Sequence, residues 1–326
     1  MDSPKTILKT IKAAQRILIP LHLRPDGDMI GSALACYHFL KSLGKKADLV
    51  SADPIPSNFF FLPGAKRIKN TDPANLDLAK FDLIFLADNG SPFRYSRAKR
   101  IELPSQTLLI NIDHHSGNRE FGDLNYVDDK AAASTEILYD LFKFWKVKIT
   151  PSIASCLLTG IYTDTGGFLH GKTSANSLLK AGDLIKKGAD RGQIVEKAFR
   201  SWPPKTPQIW AAILNNTRVR KGIAYSQISH HELRRIGCSL DELSAARGFG
   251  GNALLLAIDK IKVALIFTEE RPKAIRVSLR SKGRFSVEKI ARKMGGGGHF
   301  NAAAFDYQGP LKQAVTKTLR MVGGRL

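Results

Sequence analysis

The sequence predicts an α/β protein: a parallel-sheet domain covered by helices, then a smaller α/β domain, with a cleft between them. Three observations carry this. Short apolar runs alternate with stretches of helical spacing through the first half of the 326 residues. Three of those runs, ending at Leu21, Ala87 and Ile112, lead into clusters of acidic or imidazole residues. Near residue 190 the pattern changes, and residues 201–208 (SWPPKTPQ) carry three prolines that bar helix interior.

In order along the chain, the N-terminal stretch places Ile7, Leu8 and Ile11 on one side of a first helix. Residues 17–23 form an apolar strand, 29–43 a helix through Ile30, Leu34, Tyr37 and Leu40, and 47–50 a second strand. Residues 81–87 (FDLIFLA) and 108–112 (LLINI) are too apolar for strands with a wet face, which implies a parallel sheet covered on both sides. Helices are predicted over 131–145 and 151–162. Beyond the proline-rich segment, strands are predicted at 222–228, 253–258, 263–267 and 274–279, and helices at 286–294 and 313–321. The division expected is 1–188, a linker at 189–212, and 213–326.

Composition narrows the class. Fifty basic against 29 acidic residues give a net charge of +21, which favours anionic partners such as nucleic acid, nucleotides or anionic lipid. Residues 260–300 hold eleven Lys and Arg against three Glu, concentrating that charge in the second domain. Cys36, Cys156 and Cys238 are too scattered for a disulfide framework or zinc knuckle. The apolar runs fall short of the roughly 18 residues of a membrane span, and the N-terminus lacks a signal-peptide layout, so a cytoplasmic protein is expected.

The densest chemical signal is HLRPDGD at 22–28, with Gly31 and Ser32 beyond it. His22, Asp26 and Asp28 fall in a strand-to-helix turn, where Gly27 allows a tight path between the two acids. Taken alone, this is equally a helix-capping turn. Asp88 follows a strand, Asp113-His114-His115 follows the next, and Asp164 ends a helical run before Gly166-Gly167. Each reads singly as a solvated loop or cap. Together, His22, Asp26, Asp28, Asp88, His114 and Asp164 bring four carboxylates and two imidazoles to the strand ends where sites in parallel sheets gather. Clustered carboxylates repel unless cations intervene, and oxygen donors with imidazole suit Mn²⁺ or a similar ion. Two ions about 4 Å apart can activate a water and hold the attacking and scissile oxygens of a phosphoester, with Asp88 as the natural bridge.

In order, HLRPDGDMIGS, LADNG, IDHHSGN and YTDTGGF resemble the motifs of the DHH phosphoesterases. The resemblance covers roughly residues 14–170 and implies two Mn²⁺ ions, with Mg²⁺ or Co²⁺ as substitutes. One would be held by His22, Asp26 and Asp88, the other by Asp28, Asp88, His114 and Asp164. It marks His115, Asp88 and Asp113 as the catalytic group, with His115 on the scissile phosphate.

In the second domain, Arg276, Ser278 and Arg280 share one strand face, with Val277 and Leu279 turned to the core, which makes a phosphate ladder. Residues 294–305 (MGGGGHFNAAAF) permit close backbone approach and an anion-binding loop from which His299 projects. This segment resembles the GGGGHxxAAG motif of the DHHA1 substrate-binding domain, departing at Ala304. The resemblance implies that Arg276, Ser278, Arg280, Gly297, Gly298 and His299 bind substrate phosphates. Residues 247–251 (RGFGG) depart from the usual helix-like region and are expected to reshape the mouth of the site.

The length matches the two-domain subgroup of nanoRNases and 3′-phosphoadenosine-5′-phosphate phosphatases. The expected partners are short single-stranded oligonucleotides or small phosphorylated nucleotides, with no membrane; a homodimer stays open. The main rival is a cyclic-di-AMP or pApA phosphodiesterase with the same metals. A non-catalytic nucleotide or nucleic-acid binding protein suits the charge but has no need of six clustered ligands.

Overall fold

The computed structural model describes residues 1–92, 94–98, 101–169 and 172–324, apart from the side chains of 248–250 and 299. The chain divides into two compact units, Met1–Ser201 and Trp202–Leu326.

The first unit opens with helix α1 (Pro4–Ala13), capped by the Ser3 hydroxyl and started by Pro4, with Ile7 and Ile11 fully buried. Six strands follow: β1 (Arg16–Leu21), β2 (Lys46–Ser51), β3 (Lys69–Asn70), β4 (Leu83–Ala87), β5 (Leu108–Asp113) and β6 (Leu124–Val127). They form one parallel sheet in the order β3-β2-β1-β4-β5-β6. Strand residues alternate between two cores: Ile17, Ile19, Leu83, Phe85 and Ile110 join one cluster, Leu18, Ile84, Leu86 and Leu109 the other.

The larger core is covered by α2 (Gly27–Ser42), α3 (Ser134–Phe144), α4 (Pro151–Asp164), α5 (Ala175–Lys186) and α6 (Arg191–Phe199). The sheet is therefore covered on both faces, as expected, but unequally. Against the other face lie Leu76, Leu78, Phe81, Tyr95 and Leu103 from the connections around β4, where the helical turns among the described residues are single 3₁₀ turns. Those connections are rich in Pro, Asp and Asn, which favour turns over helix.

The second unit packs helices on both faces of a mixed sheet. Its strands are β7 (Arg218–Arg220), β8 (Ile223–Ile228), β9 (Val263–Arg271), β10 (Ala274–Ser281), β11 (Gly297–His299) and β12 (Ala302–Gln308), in the order β11-β12-β10-β9-β8-β7. Only β8 and β9 run parallel among the described pairs. Val263, Leu265, Phe267, Val277, Leu279 and Phe305 face α11 (Glu288–Lys293) and α12 (Leu311–Gly323). On the other side, Ala224, Ala264 and Ile266 meet α7 (Thr206–Asn215), α8 (His230–Ile236), α9 (Leu240–Ala245) and α10 (Asn252–Ala257), and a π-helical turn spans Ala246–Gly251.

Two local readings are corrected. Residues 253–257 of the predicted strand at 253–258 lie in α10: ALLLA consists of strong helix formers, and a short apolar run carries no decisive period. The glycine run is only partly a loop, because Gly297–His299 is an edge strand on β12. At Gly298, with φ of 137°, a Cβ would fall inside 3.0 Å of the β12 backbone. Close backbone approach is thus what this glycine permits. Residues 189–212, expected as a linker, contain α6 and the start of α7.

Candidate active site

The strand order reverses between β1 and β4, and such a switch point leaves a crevice beyond the carboxyl ends of the strands. His22 follows β1, Asp88 follows β4, and Asp113 ends β5 with His114 and His115 next. Asp26 and Asp28 come from the start of α2, and Asp164 is the last residue of α4.

Three ligand sets converge there, each with donor atoms within 4.8 Å of one another: His22, Asp26 and Asp88; Asp28, His114 and Asp164; and Asp88, His114 and His115. All six residues expected as metal ligands are included. Asp88 belongs to two sets, with one oxygen 3.4 Å from His22 Nε2 and the other 3.4 Å from His114 Nε2. Its φ of 53° is the left-handed region, costly for a residue with a side chain and common where function over-determines the backbone.

Residues 22–28 do contain a helix cap, as the capping reading has it. Asp26 is the N-cap of α2 and accepts from the Met29 N–H at 3.1 Å, while its carboxylate lies 4.0 Å from His22. His22 Nδ1 lies 2.9 Å from the Leu23 carbonyl, which orients the ring with Nε2 toward the carboxylates of Asp26 and Asp88.

Asp28 is held by a helix end remote in sequence. It accepts from the Ser134 N–H at 2.6 Å, the Thr135 N–H at 3.1 Å and the Thr135 hydroxyl at 2.7 Å. The N-cap of α3 is Ala133, which has no capping side chain, and Asp28 serves in its place. The Ser134 hydroxyl donates to Asp88 at 3.2 Å. Sequence reasoning missed Ser134 and Thr135; an S-T-E helix start without a capping residue before it was the available signal.

Burial, aided by Asp88, pushes Asp28 up to about 7, and burial raises Asp164 well above the carboxylate range. Asp88 is equally buried, but hydrogen bonds from His114 and His22 outweigh burial and hold it well below that range. Burial works against a charged His114, yet Asp88 and Asp164 raise it to about 10. Without a cation the cluster retains protons in its place, as expected of a donor set assembled for positive charge. The residues fit a divalent ion.

His115 also stands beside Asp88, with Nδ1 3.7 Å from Oδ1 of that carboxylate, but its nearer partner is Asp113. Its Nδ1 lies 2.7 Å from Asp113 Oδ1, and the Asn118 amide donates to the other Asp113 oxygen at 2.7 Å. His115 outweighs burial and holds Asp113 below its usual range. An ionised Asp113 therefore fixes the tautomer of His115 and leaves Nε2 facing away from the carboxylate.

In the second unit, Arg276 and Ser278 stand on one face of β10 and Val277 and Leu279 are buried on the other. Arg276 donates to both oxygens of Asp306 across the strand pair, at 2.9 and 3.0 Å. Burial, then Arg247 and Arg276, lowers Arg280 to about 10. Arg247, which the sequence did not single out beyond RGFGG, leaves the π-helical turn to donate to Thr268 at 2.5 Å and Glu270 at 2.8 Å. Three guanidinium groups thus influence one another here. The N–H groups of Gly295 and Gly296 bond to Arg292 and Ala291 carbonyls at the end of α11, while Gly297 and Gly298 pair with β12. The side chain of His299 lies outside the described residues.

Residues 16–161 match the DHH family N-terminal domain and residues 222–323 the DHHA1 domain. The bifunctional oligoribonuclease and PAP phosphatase NrnA of Thermus thermophilus is 34% identical over 324 residues, covering 98% of this chain and 94% of its own. The chain belongs to the DHH phosphoesterase family. The Bacillus subtilis protein of the same name is 27% identical, covering 90% of each chain. The solved structure of an exopolyphosphatase-related protein from Bacteroides fragilis matches with a TM-score of 0.87 and 26% identity, covering 98% of this chain and 94% of that one. These relatives place this DHH–DHHA1 chain in the nanoRNase-like subgroup, as a hydrolytic enzyme. No helix among its described residues is long and apolar enough to cross a membrane.

Proposed function

We propose that this chain is a Mn²⁺-dependent phosphoesterase that hydrolyses short oligonucleotides and 3′-phosphoadenosine-5′-phosphate. The observation that carries this is Asp88, buried, strained and shared by two ligand sets. That arrangement suits a bridging carboxylate. The names of the Thermus and Bacillus relatives support the substrate class.

His22, Asp26 and Asp88 would hold one ion, and Asp28, Asp88, His114 and Asp164 the other. Bound there, the ions supply Lewis acidity, which lowers the pKa of water and neutralises phosphoryl oxygens. The water oxygen bonds to phosphorus, the bond from phosphorus to the leaving oxygen breaks, and a proton ends on that oxygen. Asp113, steadied by Asn118, orients His115 so that Nε2 meets the phosphate or the leaving oxygen. Arg276, Ser278, Arg280, Gly297, Gly298 and His299 bind the remaining phosphates, and Arg247 adds a third guanidinium to that group. Binding away from the reacting phosphorus positions it.

The test is a panel of two- to five-residue oligonucleotides, long strands, 3′-phosphoadenosine-5′-phosphate, pApA and cyclic-di-AMP at matched metal and salt. Mn²⁺-stimulated turnover of the short oligonucleotides and of 3′-phosphoadenosine-5′-phosphate is expected. Preference for cyclic-di-AMP would move the assignment to the cyclic-dinucleotide class. Absence of metal-stimulated hydrolysis of every small phosphoester would refute it.

A further inference from the structure

Arg94 is a cation placed beside the His115–Asp113 pair, with no carboxylate partner among the described residues. It follows Asp88 by six residues on the segment leaving β4. Its carbonyl accepts from the Leu23 N–H at 2.6 Å, tying this segment to the loop that carries His22. Its half-buried side chain reaches inward, with Nη1 3.4 Å from His115 Nε2. Among the described residues it makes no ion pair with a carboxylate. Three residues on, Arg97 shows the contrast: its guanidinium is neutralised by Asp53 at 2.5 Å, and its backbone N–H is bound by Asp72 at 2.9 Å.

A half-buried guanidinium facing a histidine lacks the anion such a group requires. A guanidinium only donates, so the His115 nitrogen it faces must be the acceptor, consistent with Nδ1 donating to Asp113. The 3.4 Å contact is long and uses one of the five N–H groups a guanidinium carries, so donors remain beside Nε2 for a further acceptor. We propose that Arg94 is a catalytic residue whose guanidinium donates to a non-bridging oxygen of the scissile phosphate, alongside His115. This rests on the phosphoesterase reading above and adds a protein cation that strengthens its hold as charge builds on the phosphoryl oxygens in the transition state.

The test compares wild type, Arg94→Lys and Arg94→Ala as full-length, Mn²⁺-loaded proteins. Turnover is read on 3′-phosphoadenosine-5′-phosphate and a 5′-phosphorylated dinucleotide, inorganic phosphate binding by calorimetry, and Mn²⁺ affinity and thermal midpoint alongside. Loss of one donor of this kind costs about 10²–10³-fold, so Arg94→Ala should lose that much kcat/KM, chiefly in kcat, and bind phosphate more weakly. Arg94→Lys should recover part of both, with Mn²⁺ affinity and thermal midpoint unchanged throughout, since the Leu23 bond uses only backbone. Wild-type kcat/KM and phosphate affinity in Arg94→Ala would overturn the proposal. So would a loss that tracks Mn²⁺ affinity or folding, which marks a structural role. If wild type turns over neither substrate, the functional reading fails instead, and the phosphate titration still decides Arg94.

Discussion

Gly160→Ala separates the helix propensity of this chain from the demands of its site. Gly160 lies within α4, where propensity alone predicts that alanine stabilises by about 1 kcal/mol. The structure predicts the opposite. The new methyl would fall inside 3.0 Å of Asp28 Oδ1 and of the Thr135 Oγ1 and Cγ2. Both residues are fully buried, and the Thr135 hydroxyl donates to that same oxygen at 2.7 Å. Overpacking of this kind costs about 1–3 kcal/mol, and loss of a hydrogen bond to a charged group about 1.5–3 kcal/mol. After the propensity gain, the expected destabilisation is about 1.5–5 kcal/mol, with weaker Mn²⁺ binding because Asp28 is displaced. Gly182→Ala is the control, in α5 of the same unit, where an added Cβ meets nothing within 4 Å. It should stabilise by up to about 1 kcal/mol and leave metal binding alone. Urea melts followed by circular dichroism, with Mn²⁺ titrations by calorimetry, read both quantities. If Gly160→Ala matched Gly182→Ala in stability and metal affinity, the packing of α4 against Asp28 would be refuted.

Asp88→Ala should reduce single-turnover rates by more than about 10²-fold, beyond the loss typical of a residue that only supports a ligand. Thr135→Val keeps the backbone N–H to Asp28 but removes the hydroxyl, and should weaken Mn²⁺ by about tenfold in a calorimetric titration while the fold persists. Metal affinity should rise with pH: below its raised value of about 10, His114 holds a proton that a metal must displace, and Asp28, raised to about 7, gives up a fraction of one at neutral pH. Calorimetry in two buffers of different ionisation enthalpy should therefore report net proton release at pH 7, and equal heats would contradict it. Arg280→Ala should raise KM for short oligonucleotides by about 10–100-fold, the worth of one charged hydrogen bond, with less effect on kcat in steady-state assays.

The candidate ligands were legible because the fold delivers them at strand and helix ends, where apolar periodicity breaks off into carboxylate or imidazole. His22, Asp88 and Asp113-His114 each mark such a boundary in the sequence itself. The residues that hold them left no such mark. Ser134 and Thr135 lie 106 and 107 residues from Asp28, a separation that only the packing of α2, α3 and α4 closes. Arg247 was hidden differently, in a glycine-rich segment whose π-helical turn has no period to read. The strand predicted at 253–258 failed for the same physical reason: five apolar residues fit either period until their neighbours choose.

The charge of the chain has a local logic that its +21 total conceals. At the first site, acids outnumber imidazoles, and Asp28 and Asp88 are buried while Asp26 is exposed; burial raises Asp28 and Asp164, and the neighbouring carboxylates raise His114. In the second unit guanidinium groups predominate: Arg247 donates to Glu270 and Arg276 to Asp306, and burial together with these two neighbours makes Arg280 a weaker base. One cluster lacks cations and the other lacks anions. A protein that merely bound nucleic acid through surface charge would have no reason to build either imbalance into a unit's interior.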